Sequence, residues 1–221
     1  MKQARSLFIV MTLAMLACPG AWAAAAVDSA TLSKAIDGLQ RHYRETKTLS
    51  AKFTEEIAPV GGSRRERTGI VYLMKPGRMR WEYDAPSREV LVSDGTLIYN
   101  YDPELNQVVE APLAQVLRSP GATEFLLGVG DIKKEFNAAL MDDPDATVIH
   151  LKLVSKGQGN TIELGLDPKT YNVDSIRVID QLGNATSLKF SDIVNNPPIS
   201  GSIFNYSPPA GADIVKSEPL K

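Results

Sequence analysis

The chain has 221 residues, 43% of them apolar and 23% charged, and a formal net charge of −2. This is the composition of a globular protein of a size that one domain accommodates, and it excludes a long low-complexity or disordered chain. The near-neutral balance excludes a strongly basic nucleic-acid surface, and a single cysteine, Cys18, excludes an internal disulfide.

Lys2 and Arg5 precede an apolar run from Leu7 to Cys18, Pro19-Gly20 breaks it, and Ala21-Trp22-Ala23 supplies small residues where a signal peptidase reads. Twelve apolar residues are too few to span a bilayer. Residues 1–23 therefore read as a secretory signal peptide cleaved after Ala23, and residues 24–221 as one exported domain. The alternative is processing at Met15-Leu16-Ala17-Cys18, an imperfect lipoprotein signal that would leave Cys18 acylated. Cleavage after Ala23 removes Lys2 and Arg5 and changes the formal charge from −2 to −4. It also removes the cysteine, so core packing alone would stabilise the exported fold.

A helix is predicted from near Thr31, capped by Asp28 or Ser29 and ending near Thr46 to Thr48. Leu32, Ile36, Leu39 and Tyr43 recur at helical spacing with Ala35 beside them, so one face is apolar. From Leu49 the period changes to two: Leu49, Ala51, Phe53, Glu55 and Ile57 share a face. A second strand runs from about Arg67 to Met74, with Val71 and Leu73 on one side and Ile70, Tyr72 and Met74 on the other, so its outer face is partly covered. Lys75-Pro76-Gly77 turns the chain into Arg78–Tyr83, whose inward row is Met79, Trp81 and Tyr83. Glu89 to Ser93 and Leu97 to Tyr101 flank Asp94-Gly95 as a hairpin, and Gln107 to Glu110 adds a short strand.

The period then breaks. Two short helices are predicted, one over Leu113, Val116 and Leu117 and one over Glu124 to Leu127 with Phe125 and Leu126. Neither is long enough to be stable alone, so both must lie on an apolar surface. Strands follow over 148–154, 161–166, 173–179 and 186–190, with a last edge strand over Ile203, Phe204 and Tyr206 and a tail from Ala212 that adds a little more sheet or frays. The fold class is mainly β: an unclosed, curved antiparallel β-barrel of about ten to eleven strands, with three helices laid as a lid over its apolar concave face. Periodicity does not separate a packed core from a lidded cavity.

The sequence carries no catalytic constellation and no cofactor motif. His42 and His150 are the two histidines, Asp142, Asp143 and Asp145 are interrupted by Pro144, and there is no Gly-x-Ser-x-Gly elbow or phosphate loop. The chain is therefore read as a non-enzyme. Arg64-Arg65-Glu66-Arg67 reads as solvated surface, with a membrane or an acidic partner as the alternative.

Four marks in order, Leu49-Ser50-Ala51-Lys52-Phe53-Thr54, Gly69 to Trp81, Leu91 to Gly95 with Tyr99, Tyr101 and Pro103, and Phe204 to Gly211, make the chain similar to the outer-membrane lipoprotein carrier family, LolA. The resemblance implies an unclosed barrel around an apolar cavity, a periplasmic location and a monomer without cofactor or nucleotide. It implies three partners: acylated lipoproteins, the inner-membrane lipoprotein-releasing ABC transporter, and the outer-membrane lipoprotein receptor. On this chain it assigns the acyl-chain cavity to Phe53, Val71, Leu73, Met79 and Trp81. It assigns the lid to Leu32, Ile36, Leu39, Leu113, Val116, Leu117, Phe125 and Leu126. Lys75 stands where the family has an arginine that holds the lid shut, and lysine keeps the charge without the planar fork. Competing readings are the lipid-anchored receptor of the same pathway, a carrier of another lipid, and a periplasmic binding or scaffold module with a solid core.

Overall fold

The period-two stretch that starts at Leu49 becomes an eleven-residue strand, β1 (Thr48–Ala58), and the meander predicted after it forms as β2 (Arg65–Met74), β3 (Arg78–Tyr83), β4 (Val90–Asp94), β5 (Leu97–Asp102) and β6 (Gln107–Pro112). The computed structural model describes residues 20–116, 131–142, 147–156 and 160–217. The remaining elements are α1 (Gly20–Glu45), α2 (Leu113–Val116), α3 (Ile132–Glu135), β7 (Phe136–Leu140), β8 (Ile149–Ser155), β9 (Thr161–Leu166), β10 (Val173–Ile179), β11 (Ala185–Asn195), a 3-10 turn (Gly201–Phe204) and β12 (Asp213–Lys216).

One twelve-stranded sheet runs in the order β12-β6-β5-β4-β3-β2-β1-β11-β10-β9-β8-β7. Its two end strands, β12 and β7, do not pair with each other, so the barrel is unclosed. β1 bridges the halves, pairing β2 along Thr48↔Met74 to Ile57↔Arg65 and β11 along Leu49↔Asn195 to Ala58↔Ala185. The register between β1 and β11 slips between Ser50 and Lys52, where β11 carries one extra residue and Asp192 takes φ 51°. A bulge of this kind increases local twist and bends the strand, as a curved sheet needs. The Asp94-Gly95 turn forms as expected, with Asp94 Oδ1 accepting from the backbone of Thr96 and Leu97 at 2.7 and 2.9 Å.

Several expectations require correction. The strand expected over Ile203–Tyr206 is instead the 3-10 turn, capped by Ser200 and placing Phe204 in a fully buried position. Pro197-Pro198 and Pro208-Pro209 on either side remove the backbone donors that a ladder needs. The sheet is not wholly antiparallel, because the tail from Asp213 pairs parallel to β6, Asp213↔Gln107 to Lys216↔Glu110. The segment 131–140, for which the sequence pattern predicts no element, forms α3 and β7. α1 is also helical well before Thr31, from the first described residue, Gly20, as the alanine-rich stretch from Ala21 to Ala26 favours.

The core lies on the concave side. Ile36, Leu39 and Tyr43 of α1 join Leu49, Ala51 and Phe53 of β1 and the inward rows of β2, β3 and β8 to β10. Gly38 lets α1 come this close, because a Cβ there would collide with the ring of Tyr171. Tyr43 anchors the helix end, its hydroxyl accepting from Val173 N at 3.2 Å. On the convex side the chain at Pro198–Ile203 lies against Tyr72, Arg80 and Glu82, with Arg80 Nη1 donating to Ile203 O at 3.0 Å. This gives the outer face of β2 the partial cover expected of it.

Candidate functional site

Strand register gathers the five predicted cavity residues. Phe53 lies opposite Gly69, Val71 opposite Trp81, and Leu73 opposite Met79, all on the concave face. None is more than 4% exposed. Gly69 makes the room, since a Cβ there would strike the Phe53 ring and the Glu82 carbonyl. Phe53 meets Trp81 edge-on at 4.9 Å and Tyr83 at 5.1 Å, and Phe190 tilts against Trp81 at 6.3 Å. Each such side chain contributes about 2–3 kcal/mol by leaving water. Within this cluster the Trp81 indole nitrogen has no hydrogen-bond partner among the described residues.

Of the predicted lid, Ile36, Leu39 and Leu113 are buried in the same core and Leu32 packs against its edge. Val116 closes α2, while Leu117, Phe125 and Leu126 lie outside the described residues. The structure adds Ile132 and Phe136 to the apolar cover, each 4% exposed. A signal for them was in the sequence: Asp131 caps α3 by accepting from Lys133 N, and Glu135 reaches back to Asp131 N at 3.1 Å. That is a capping arrangement spaced one residue wider than the usual box.

Lys75 follows β2 directly and turns toward the end of α1. Its backbone N–H donates to Lys47 O at 2.9 Å. Its ammonium is buried without a hydrogen-bond partner among the described residues, 5.9 Å from the centre of the Tyr43 ring, at the outer limit of a cation–π contact. Burial pushes its pKa below the ordinary lysine value. Nearby, His42 is also held below its usual value, by burial first and by the Lys75 charge after the opposing effect of Asn172.

At the other end of β2 the concave face turns polar. Arg67 donates to Glu55 Oε2 through Nε and Nη2 at 2.9 and 2.6 Å and to Glu89 Oε1 at 2.8 Å. Its guanidinium lies 4.3 Å from the centre of the Tyr83 ring. Beyond it opens a cleft of about 700 Å³ lined by Ile57, Arg65, Asp84, Pro86 and Glu104 among others, and by none of the predicted cavity residues. Arg64, Arg65 and Glu66 face solvent as expected, and Arg67 does not. Among the described residues no helix is long and apolar enough to cross a membrane, and no three His, Cys, Asp or Glu side chains gather as metal ligands.

A crystal structure of an uncharacterised conserved protein from Thermus thermophilus has this fold, with a TM-score of 0.54 over 85% of this chain and 99% of that one, at 16% identity. The outer-membrane lipoprotein carrier protein of Methylibium petroleiphilum is 32% identical over 184 residues, 82% of this chain and 89% of the relative. That of Cupriavidus necator is 31% identical over 197 residues, 86% and 92% of the two chains. The family model described as outer membrane lipoprotein carrier protein LolA matches residues 44–207. The chain belongs to the LolA family, non-catalytic proteins of the periplasm.

Proposed function

We propose that the protein carries acylated lipoproteins across the periplasm, accepting them from an ABC transporter of the inner membrane and delivering them to a receptor at the outer membrane. The acyl chains would lie against Phe53, Val71, Leu73, Met79 and Trp81, under a lid formed by α1, α2 and the segment that follows. One observation carries this reading: the concave apolar face is covered by helices rather than by a second sheet. Helices joined by loops can be lifted without breaking a hydrogen-bonded ladder. Burying one methylene is worth about 0.8 kcal/mol, so a sixteen-carbon chain gains on the order of 12 kcal/mol gross. Such a chain does not diffuse freely through water, yet its carrier must let go. Opening the lid gives up apolar contacts, so closure of the empty form and loading oppose each other.

Lys75 is the candidate latch. An ammonium has donors only, and here it has no acceptor among the described residues, so carbonyls of the lid segment beyond Val116 would suit it. Residues 1–23 act as the export signal in this reading.

Inner-membrane vesicles holding the transporter and a newly acylated lipoprotein, incubated with ATP and the processed protein, test the proposal. Cargo in the soluble fraction as a one-to-one complex is expected. Cargo retained in the membrane by an active transporter would overturn it. Acylated Cys18 at the native amino terminus would then identify the receptor, and an unmodified terminus a carrier of another lipid.

A further inference from the structure

Trp81 is 4% exposed, and its indole N–H is buried with nothing among the described residues to accept it. A buried donor without a partner costs about 1–3 kcal/mol and is rare in folded proteins. Packing does not call for it. Trp81 lies opposite Val71 on one side and Leu91 on the other, with Phe53 edge-on at 4.9 Å. An apolar ring would satisfy those neighbours as well. The result is a lone neutral donor set in a wall of Phe53, Val71, Leu73 and Met79.

The ligand chemistry that matches such a wall is long hydrocarbon bearing an acceptor and no donor of its own. An ester carbonyl fits. A free carboxylate does not, because a neutral N–H compensates an ionised oxygen poorly when both are out of water. We propose that the Trp81 Nε1–H donates to the ester carbonyl of a bound acyl chain, fixing the depth at which the chains seat. The inference rests on the carrier reading and adds to it a preference for esterified acyl groups over plain alkyl chains of equal length.

Two synthetic probes separate these possibilities: a dipalmitoylglyceryl-cysteine peptide and its dihexadecyl ether twin, which lacks both carbonyls. The protein is isolated from the periplasm in a Trp22→Phe background, so that Trp81 is the one indole present however the leader is processed. It is compared with Trp81→Phe and with replacement of Trp81 by its benzothienyl isostere, which keeps the bicyclic shape and loses the N–H. The native residue is expected to bind the ester probe about tenfold more tightly than the ether, as one net hydrogen bond provides. The isostere is expected to bind both alike, at the affinity of the native protein for the ether. The indole N–H vibrational marker should move to its hydrogen-bonded position on loading the ester and stay in place on loading the ether. Persistence of the ester preference in the isostere, or an unmoved marker in the loaded native protein, overturns the assignment while leaving the carrier role standing. Failure of both probes to bind any variant overturns the carrier reading and this inference with it.

Discussion

Arg67 and Lys75 are two cations eight residues apart on one stretch of chain, and the fold treats them in opposite ways. Arg67 has carboxylates from two elements, Glu55 of β1 and Glu89 at the entry to β4, and a tyrosine ring beneath it. Its side chain is 25% exposed, and those of Glu55 and Glu89 are 12% and 26% exposed. Lys75 has its ammonium buried and no acceptor among the described residues. A charge tied to partners on both sides fixes the register of β1, β2 and the β3–β4 connection. A charge without a partner is tolerated only because the rest of the core holds it there. In the latch role proposed for it, its use would lie in holding a carbonyl of the lid. The paired cation serves the fold, and the unpaired one is the candidate latch.

The contrast can be broken most severely at Arg67. Arg67→Leu leaves Glu55 and Glu89 half out of water with no counter-charge, and should cost about 2–4 kcal/mol in urea unfolding. Adding Glu55→Gln to that variant should recover part of the loss. A cost under about 0.5 kcal/mol would mean that the network is no more than a surface ion pair. Lys75→Met goes the other way. It removes an unsatisfied buried donor while keeping the length of the side chain, and should raise stability by about 1 kcal/mol. Were the ammonium instead bonded to a lid carbonyl, the same variant would take up an apolar dye faster in the absence of cargo and gain no stability. Lower stability in Lys75→Met would show that the ammonium contributes to the fold, and the contrast with Arg67 would fail.

What the sequence could reveal of this site follows from range. Phe53, Val71, Leu73, Met79 and Trp81 share one face as expected because period two is a local property, and Ile36 and Leu39 do so because period 3.6 is. The Arg67 network was hidden, since its partners lie 12 and 22 residues away. Starting the strand at Arg67 rather than Arg65 also leaves the basic run looking like a loop. Alternation alone puts Arg67 on the same side as Val71, but it does not say which carboxylates meet it there. The parallel β6–β12 pair bridges 106 residues at its first rung, as the Gln107–Asp213 contact shows, and no local pattern announces such a pairing. That the Trp81 and Lys75 donors meet no acceptor among the described residues was invisible for a related reason. A missing partner can be recognised only when every neighbour is in place.

The smallest effect sharpens the comparison from outside. His42, in the last turn of α1, is held below its usual pKa of 6.5 by burial, and the Lys75 charge pushes in the same direction. Asn172, Asn195 and Glu45 pull the other way. His42 is thus a reporter of the unpaired ammonium. Between the lowered value and 6.5 the unfolded chain takes up the proton more readily than the fold does. Stability therefore falls as pH drops through that window, and the penalty is complete below it. Lys75→Met removes one of the two causes. The His42 imidazole, followed by NMR, should then titrate closer to 6.5, and the acid-side loss of stability should shrink. The Arg67→Leu variant supplies the control, because Arg67 is not among the groups that shift His42, whose imidazole should titrate there as in the native protein. An equal shift in both variants would mean that His42 responds to loosening of the sheet as a whole. A shift in Lys75→Met alone would place an uncompensated charge at the end of α1, where the lid begins.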